Sequence, residues 1–161
     1  METRIVKTEL DKIEISTKQD TVPEFDKTAI AVTGIESYPD HTHLKPEEIT
    51  QDAITCLLKQ LANGDDLFFY LDEYQELEFL DAICDGEWIS LLYSNKDISY
   101  SCYNTDFEGV EEDCPLEYGG QSPIRKFYAL TDIQLGLEAV EYFIHTGKLY
   151  PKIEWAKLLD E

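Results

Sequence analysis

Apolar residues along this chain recur with two different periods, and the switches between them mark its elements. From Arg4 to Ser16 apolar and polar positions alternate, with Ile5, Ile13 and Ile15 as inward candidates. Thr28 to Gly34 carries a second apolar run, Ala29-Ile30-Ala31-Val32. Period-two patterning predicts strands. The first forty-four residues therefore read as an N-terminal β element, interrupted by the polar stretch Thr17 to Pro23. The period then changes. Ile49, Ala53, Leu57 and Leu61 recur every four residues, and Ile54 and Leu58 widen the stripe. That spacing predicts an amphipathic helix. Pro46 suits its first turn, Glu47-Glu48 place negative charge where the helix dipole favours it, and Asn63-Gly64 ends it.

A meander of strands is expected next. Leu67 to Leu71 reads as a buried strand, and Leu77, Phe79 and Ile83 alternate with acids towards a hairpin turn at Asp85-Gly86. Trp88 to Tyr93 returns, and Asn95-Lys96-Asp97 turns again. Ile98, Tyr100 and Cys102 then share one strand face, with Tyr103 on the other. Asn104 to Pro115 shows no period and reads as a loop. A short strand around Ile124 to Leu130 precedes a second helix, capped by Thr131 with Gln134 at capping-box spacing and buried along Ile133, Leu137, Val140, Phe143 and Ile144. Gly136 inside that helix costs about 1 kcal/mol relative to Ala unless something packs closely against it. Gly147 terminates the helix. The expected fold is α+β: an antiparallel sheet meander with two main helices packed on one face.

Charge changes the picture more than composition does. The chain has 161 residues, enough for one domain with a real core, and its hydrophobic content of 43% is ordinary. Its net charge of −21 is not ordinary. From Asn63 to Ile124 there are sixteen Asp or Glu residues against a single base, Lys96; the other segments hold eighteen acids and twelve bases. Such a field repels nucleic acid and anionic lipid and speeds the capture of a basic partner. Eleven of the thirteen bases are Lys and apolar residues are plentiful, which argues against adaptation to high salt. Met1-Glu2-Thr3-Arg4 opens on no apolar run, so no signal peptide is expected. The longest apolar stretch, Leu67 to Leu71, is too short to cross a membrane. Cys56, Cys84, Cys102 and Cys114 form no C-x-x-C pair and read as reduced thiols of a cytoplasmic protein.

The acidic middle has two readings. It is a solvated sheet face that prevents edge-to-edge association, or a carboxylate array that docks on a basic cleft such as nucleic-acid-acting proteins carry. The densest group is Asp106, Glu108, Glu111, Glu112 and Asp113, continuing to Glu117, with Phe107 inside it and Tyr100, Tyr103 and Tyr118 flanking it. Aromatic residues among acids suit a desolvated interface anchor; Phe107 would equally well tether the loop to the core. If the array is an interface, neutralising Glu111, Glu112 and Asp113 slows association far more than it alters folding. The loop lacks the glycine and carbonyl pattern of a calcium site, and His41-Thr42-His43 has no third ligand at a recognisable spacing, so no metal or cofactor is expected. No G-x-S-x-G elbow, phosphate-cradling loop or H-E-x-x-H is present, and no catalytic residue is assigned. His145, in the last helical turn, suits a capping role.

The segment from Pro46 to Trp155 resembles the type-one immunity-protein family of bacterial polymorphic toxin and contact-dependent inhibition systems. The resemblance lies in the helix before Leu67 to Leu71, the hairpin Asp85-Gly86-Glu87-Trp88 with its strand to Tyr93, and a specific closing block: Gly119-Gly120-Gln121, Ile124, the Ile133 to Ile144 helix, Thr146-Gly147, Pro151 and Trp155. It implies a single domain over 1–161, with 1–44 variable and 46–155 the family-like core. It also implies a cytoplasmic non-enzyme that pairs with a toxin encoded beside it, nucleases and nucleic-acid deaminases being plausible clients. Gly119, Gly120, Gly147, Pro151 and Trp155 would be structural. The contact surface is then expected on the acidic segment, a placement that the resemblance does not supply. Two other classes stay open: an acidic adaptor for a basic non-toxin partner, and an enzyme, which would show a pocket with converging carboxylates of perturbed pKa.

Overall fold

In the computed structural model, which describes residues 2–159, the chain forms eleven strands and two α-helices. In chain order they are β1 (Thr3–Lys7), β2 (Lys12–Ser16), β3 (Gly34–Tyr38), β4 (Thr42–Leu44), α1 (Gln51–Ala62), β5 (Asp66–Tyr70), β6 (Glu78–Cys84), β7 (Ile89–Asn95), β8 (Ile98–Tyr103), β9 (Asp113–Tyr118), β10 (Ser122–Arg125), α2 (Ile133–Thr146) and β11 (Glu154–Leu159). Nine of the strands make one sheet in the order β1-β2-β11-β8-β7-β6-β5-β3-β4, every neighbouring pair antiparallel. β9 and β10 form a separate hairpin. The α+β class with two helices against a meander is therefore as the sequence predicts.

Both helices lie on one side of the sheet. Ile54, Leu57 and Leu61 of α1 and Val140, Phe143 and Ile144 of α2 share a core with Ile35, Leu67, Phe69, Leu80, Ala82, Leu91, Cys102 and Trp155. Each buried Val, Ile, Leu or Phe side chain among them contributes about 1.5–3 kcal/mol by leaving water. Thr50 caps α1 by accepting from the Ala53 N–H at 3.1 Å, and Pro46–Glu48 forms a separate 3-10 turn before it. The cap of α2 is Asp132, which accepts from the Leu135 N–H at 3.1 Å, one residue later than the expected Thr131. Gly147 adopts φ 70°, a left-handed conformation that costs glycine nothing, and its N–H closes the helix on the Phe143 carbonyl. A Cβ at Gly136 would sit 2.6 Å from Cγ2 of Ile89, so the helix glycine is there to let α2 approach β7.

The opposite, outer face of the sheet is covered over part of its area. Ile13, Ile15, Tyr103 and Ala156 pack with Phe127, and the β9–β10 hairpin lays Cys114, Leu116 and Ile124 against Ile83 and Trp88. The sheet is thus the middle layer of three where the hairpin lies on it. Several expectations shift for this reason. On β6 the helix-facing residues are Leu80, Ala82 and Cys84, while Phe79 and Ile83, the apolar positions that the alternation picks out, face outwards. Ile5 is 55% exposed, because β1 is an edge strand that the helices do not reach. Ala29 to Val32 is not a strand: the Ala31 N–H bonds to the Ile144 carbonyl at the end of α2, and the third N-terminal strand begins only at Gly34. The β6–β7 turn centres on Gly86-Glu87, flanked by the Asp85 N–H to Trp88 carbonyl bond. The strand expected over Ile124 to Leu130 is the shorter β10 followed by a 3-10 turn at Lys126–Tyr128. His145 does not cap its helix. It is buried, and its Nδ1 lies 2.8 Å from the Ala29 carbonyl, pinning the 26–31 segment.

Candidate functional site

The acidic loop after β8 is where the sequence places the contact surface. Its carboxylates are met by three bases. Arg4 lies 2.6 Å from Glu108, whose other contact is the Tyr103 hydroxyl at 2.8 Å. Arg125 reaches Asp113 at 3.3 Å, Glu111 at 3.7 Å and Glu9 at 3.8 Å, and donates to the Glu111 carbonyl at 2.8 Å. Lys126 lies 3.2 Å from Glu112. Burial would raise the Glu108 pKa, but the Tyr103 hydroxyl and the Arg4 guanidinium outweigh it and hold the carboxyl below its ordinary range. Phe107 packs its ring 5.3 Å from that of Trp88 and beside Lys126. The segment is a clasp that ties β1, the turn before β2 and the β9–β10 hairpin together, and Phe107 is its tether.

The other expected contact residues separate. Tyr103 is buried on the outer face, where desolvation and then Glu108 push its hydroxyl pKa up. Tyr100 faces the helix side, in a groove of about 570 Å³ shared with Tyr93, Leu149, Trp155 and Lys157. The Tyr118 hydroxyl is 2.7 Å from Oγ of Ser90; Ser90 donates to the Tyr128 carbonyl, so Tyr118 is the donor in that pair. Asp106 and Glu117 are exposed and have no base within 4 Å among the described residues. Of the residues expected to be structural, Gly119 and Gly120 form the β9–β10 turn with φ 62° and 70°. Trp155 is buried, donating from Nε1 to the Tyr150 carbonyl at 2.9 Å, and Pro151 lines the helix-side groove.

The sixteen acids of the 63–124 stretch now divide. Glu108, Glu111, Glu112 and Asp113 meet a base; the other twelve meet none among the described residues. Among those twelve, Asp66 borders the part of the outer face that the hairpin leaves open, over β3 and β5, and Asp81 is buried beside it on β6. The register sets Glu36 opposite Phe68, Phe68 opposite Asp81, and Asp66 opposite Ile83, all pointing outwards. The rings form a continuous floor: Tyr38 to Phe68 at 5.3 Å, Phe68 to Phe79 at 5.9 Å, Phe79 to Tyr70 at 5.9 Å. Glu36 accepts from the Tyr38 hydroxyl at 2.7 Å and from that of Tyr70 at 3.4 Å. Between this floor and the Gly119-Gly120 turn runs a groove of about 590 Å³, lined by Tyr38, Pro39, His41, Asp66, Phe68 and Glu117.

At its inner wall Asp66 meets Asp81. Asp81 is 6% exposed, and one carboxyl oxygen of each residue is buried with no hydrogen-bond donor. Burial, then the contact with Asp66, lifts the Asp81 pKa to about 9; burial raises that of Asp66. Both shifts favour a proton kept on Asp81, whose carboxyl would then be a donor towards Asp66. A buried acceptor left without a donor costs about 1–3 kcal/mol, and a proton on Asp81 offsets that cost within the pair. Sequence reasoning missed this pair because acids are so frequent here that no two stand out. The readable signal was Asp81, an acid between Leu80 and Ala82 in a strand buried on both faces. The described residues contain no group of three or more His, Cys, Asp or Glu side chains placed to hold a metal ion, and none of their helices is long and apolar enough to cross a membrane. No protein-family model and no curated protein matches the chain.

Proposed function

We propose that this chain is a cytoplasmic immunity protein that binds one basic toxin domain, of the kind that acts on nucleic acid, and blocks its cleft with an acidic surface. The observation that carries the reading is the open half of the outer face. There an aromatic floor, the usual source of binding energy, stands beside carboxylates that no base of the described chain neutralises. The surface so defined is Tyr38, Asp66, Phe68 and Glu117, with Asp81 behind them; it is preferred to the 106–113 loop, where four of the five carboxylates, all but Asp106, are paired with bases of the chain. The resemblance of the Gly119-Gly120 to Trp155 block to type-one immunity proteins supports the same conclusion, as does the net charge of −21, which accelerates encounter with a basic partner.

The test is co-expression with the toxin domain encoded immediately upstream. Survival of the cells with a one-to-one complex is the expected result. Cell death, with this protein expressed but unbound, rejects the pairing and favours an adaptor for a basic non-toxin partner. A second reading, an enzyme, draws on the Asp66–Asp81 pair, since converging carboxylates with raised pKa beside a groove are what an acid–base site needs. Only Asp66 of the two lines the groove, whereas two-carboxylate chemistry requires both to reach the reacting atoms. Binding is therefore the better account.

A further inference from the structure

The nine-stranded sheet has two open edges, and they are built differently. β4 is three residues long, with Pro39 and Pro46 close to its ends, and an edge that short offers little to pair with. β1 is five residues long and contains no proline or glycine. Its hydrogen-bonding direction follows from the ladder to β2. The Thr8 N–H donates to the Asp11 carbonyl, and the Thr17 N–H to that of Glu2, so the pairs 8–11 and 2–17 are hydrogen-bonded. Such pairs alternate with unbonded ones along an antiparallel ladder. In the register Arg4↔Ile15 and Val6↔Ile13, Arg4 and Val6 therefore bond to β2, whereas Thr3, Ile5 and Lys7 turn their N–H and C=O away from the sheet. The Ile5 side chain, on the helix side, is 55% exposed.

We propose that β1 is a self-association edge: two copies of this chain join β1 to β1 in antiparallel order about a two-fold axis through Ile5. The strand complements itself in that register. Ile5 faces Ile5 of the second copy, Thr3 faces its Lys7 and Arg4 faces its Val6, so no like charges stand directly opposite one another. The outward backbone groups of each copy gain partners, and the exposed Ile5 is covered. Charge also selects this edge. Residues 1–17 hold four acids and three bases, in a chain of net charge −21. In the loop beside β1, Glu108 is paired with Arg4 and Glu111 with Arg125. The carboxylates of β6 lie five strands away, roughly 24 Å at about 4.8 Å per strand, beyond a Debye length of about 10 Å at 0.1 M salt. The axis is normal to the sheet, so both helix layers fall on the same side, and β2 and β11 of each copy keep them apart. The outer face over β3 and β5 stays free at the far end of each copy. Pairing one strand of this length buries less than the roughly 1,200–2,000 Å² of a stable complex, so the association is weak, with a Kd of about 0.1–1 mM.

The test is sedimentation velocity of the full chain from about 20 µM to about 1 mM, in low and in high sodium chloride. The dimer fraction should rise with concentration, and rise further with salt, because salt screens the repulsion between two acidic molecules. Amide exchange followed by NMR over the same range locates the joint. The amides of Thr3, Ile5 and Lys7 should slow as concentration rises, while those of Arg4 and Val6, already bonded to β2, change little. Ile5→Lys sets two ammonium groups opposite each other and should weaken the dimer about tenfold. Ile98→Lys, at an apolar residue of β8 that is 41% exposed, should leave it unchanged. A chain that stays monomeric at the highest concentration in high salt overturns the proposal. So does a dimer in which the Thr3, Ile5 and Lys7 amides exchange at the monomer rate. Both readouts use the unmutated protein and do not depend on a variant folding. Protection of those three amides by a bound client, with none from concentration, would also overturn it and assign the edge to the client's strand.

Discussion

Asp81→Asn should make this protein more stable at neutral pH, although it removes a buried charged-type residue from the middle of a sheet. In the folded chain the Asp81 pKa is raised to about 9 by burial and by Asp66; in the unfolded chain it returns to about 3.9. The contribution of a raised group is fully present below the unfolded value and is lost as pH rises towards the folded one. Between pH 5 and pH 8 the unfolded chain has already released this proton while the folded chain still holds it. Each pH unit over that window removes about 1.36 kcal/mol, so the parent forfeits about 3–4 kcal/mol in all. Asparagine is neutral at every pH, nearly the same shape, and its amide N–H can donate to Asp66 as the carboxyl O–H does. The variant should match the parent near pH 4, exceed it by about 1–2 kcal/mol at pH 5, and exceed it by several kcal/mol at pH 8.

Urea unfolding followed by tryptophan fluorescence, at half-unit pH steps from 5 to 9, measures this directly. Raising pH also increases the general self-repulsion of a chain carrying −21 charges, but parent and variant share that effect, so the difference between them isolates Asp81. Unequal slopes of unfolding free energy against urea would mean that the substitution altered the unfolded ensemble as well. A parent–variant difference that stays flat from pH 5 to pH 8 refutes the shared-proton description of the pair. A variant less stable than the parent throughout would do the same.

Two further outcomes follow from local packing. Gly136→Ala gains about 1 kcal/mol of helix propensity but drives a methyl against Ile89, with Cγ2 and Cδ1 at 2.6 and 2.8 Å from the added carbon, so a net loss of about 1–2 kcal/mol is expected. Pairing it with Ile89→Val should recover part of that loss in a double-mutant cycle; full additivity would mean that the two residues do not touch. Among the four thiols only Cys56 is exposed, and burial pushes the pKa of Cys84, Cys102 (to about 11) and Cys114 up. A thiol-reactive chromophore at pH 8 should therefore titrate one cysteine quickly in the native protein and all four in urea. Fast reaction of a second native thiol would show that one of the buried clusters opens.

The elements that sequence periodicity recovered most clearly are the two helices, which have one wet face. α1 and α2 each show a stripe that water and core enforce together. The elements it missed have both faces covered or carry a residue that disguises them. In β11, Trp155 enters the helix-side core while Ala156 packs on Ile15 across the sheet, so the strand has no polar side to alternate with. β9 does alternate, with Cys114 and Leu116 in and Asp113 and Glu117 out, but Pro115 made it read as loop. The ring is tolerated because β9 pairs only with β10 and its other edge is free. The site was illegible for a different reason. Which acids are neutralised depends on where Arg4 and Arg125 land: Arg4 arrives from the far end of the chain, and Arg125 through the register of the β9–β10 hairpin.

That last point alters what neutralising the loop should do. From sequence, Glu111→Gln, Glu112→Gln and Asp113→Asn together are expected to slow association far more than they alter folding. In the structure each of the three faces a base: Arg125 reaches Glu111 and Asp113, and Lys126 reaches Glu112. Partly exposed pairs of this kind contribute about 0.2–1 kcal/mol each. The repulsion relieved acts between side chains that water and salt screen, whereas the pairs lost are direct contacts. Short-range loss should win, leaving the triple variant about 1 kcal/mol less stable at low salt, with the deficit shrinking as salt weakens the pairs in the parent. Urea unfolding at 50 and at 500 mM sodium chloride distinguishes the two cases. A variant more stable than the parent at low salt would mean that the loop carboxylates act as an unneutralised array after all, and the 106–113 segment would regain its place as the contact surface over the Asp66 groove.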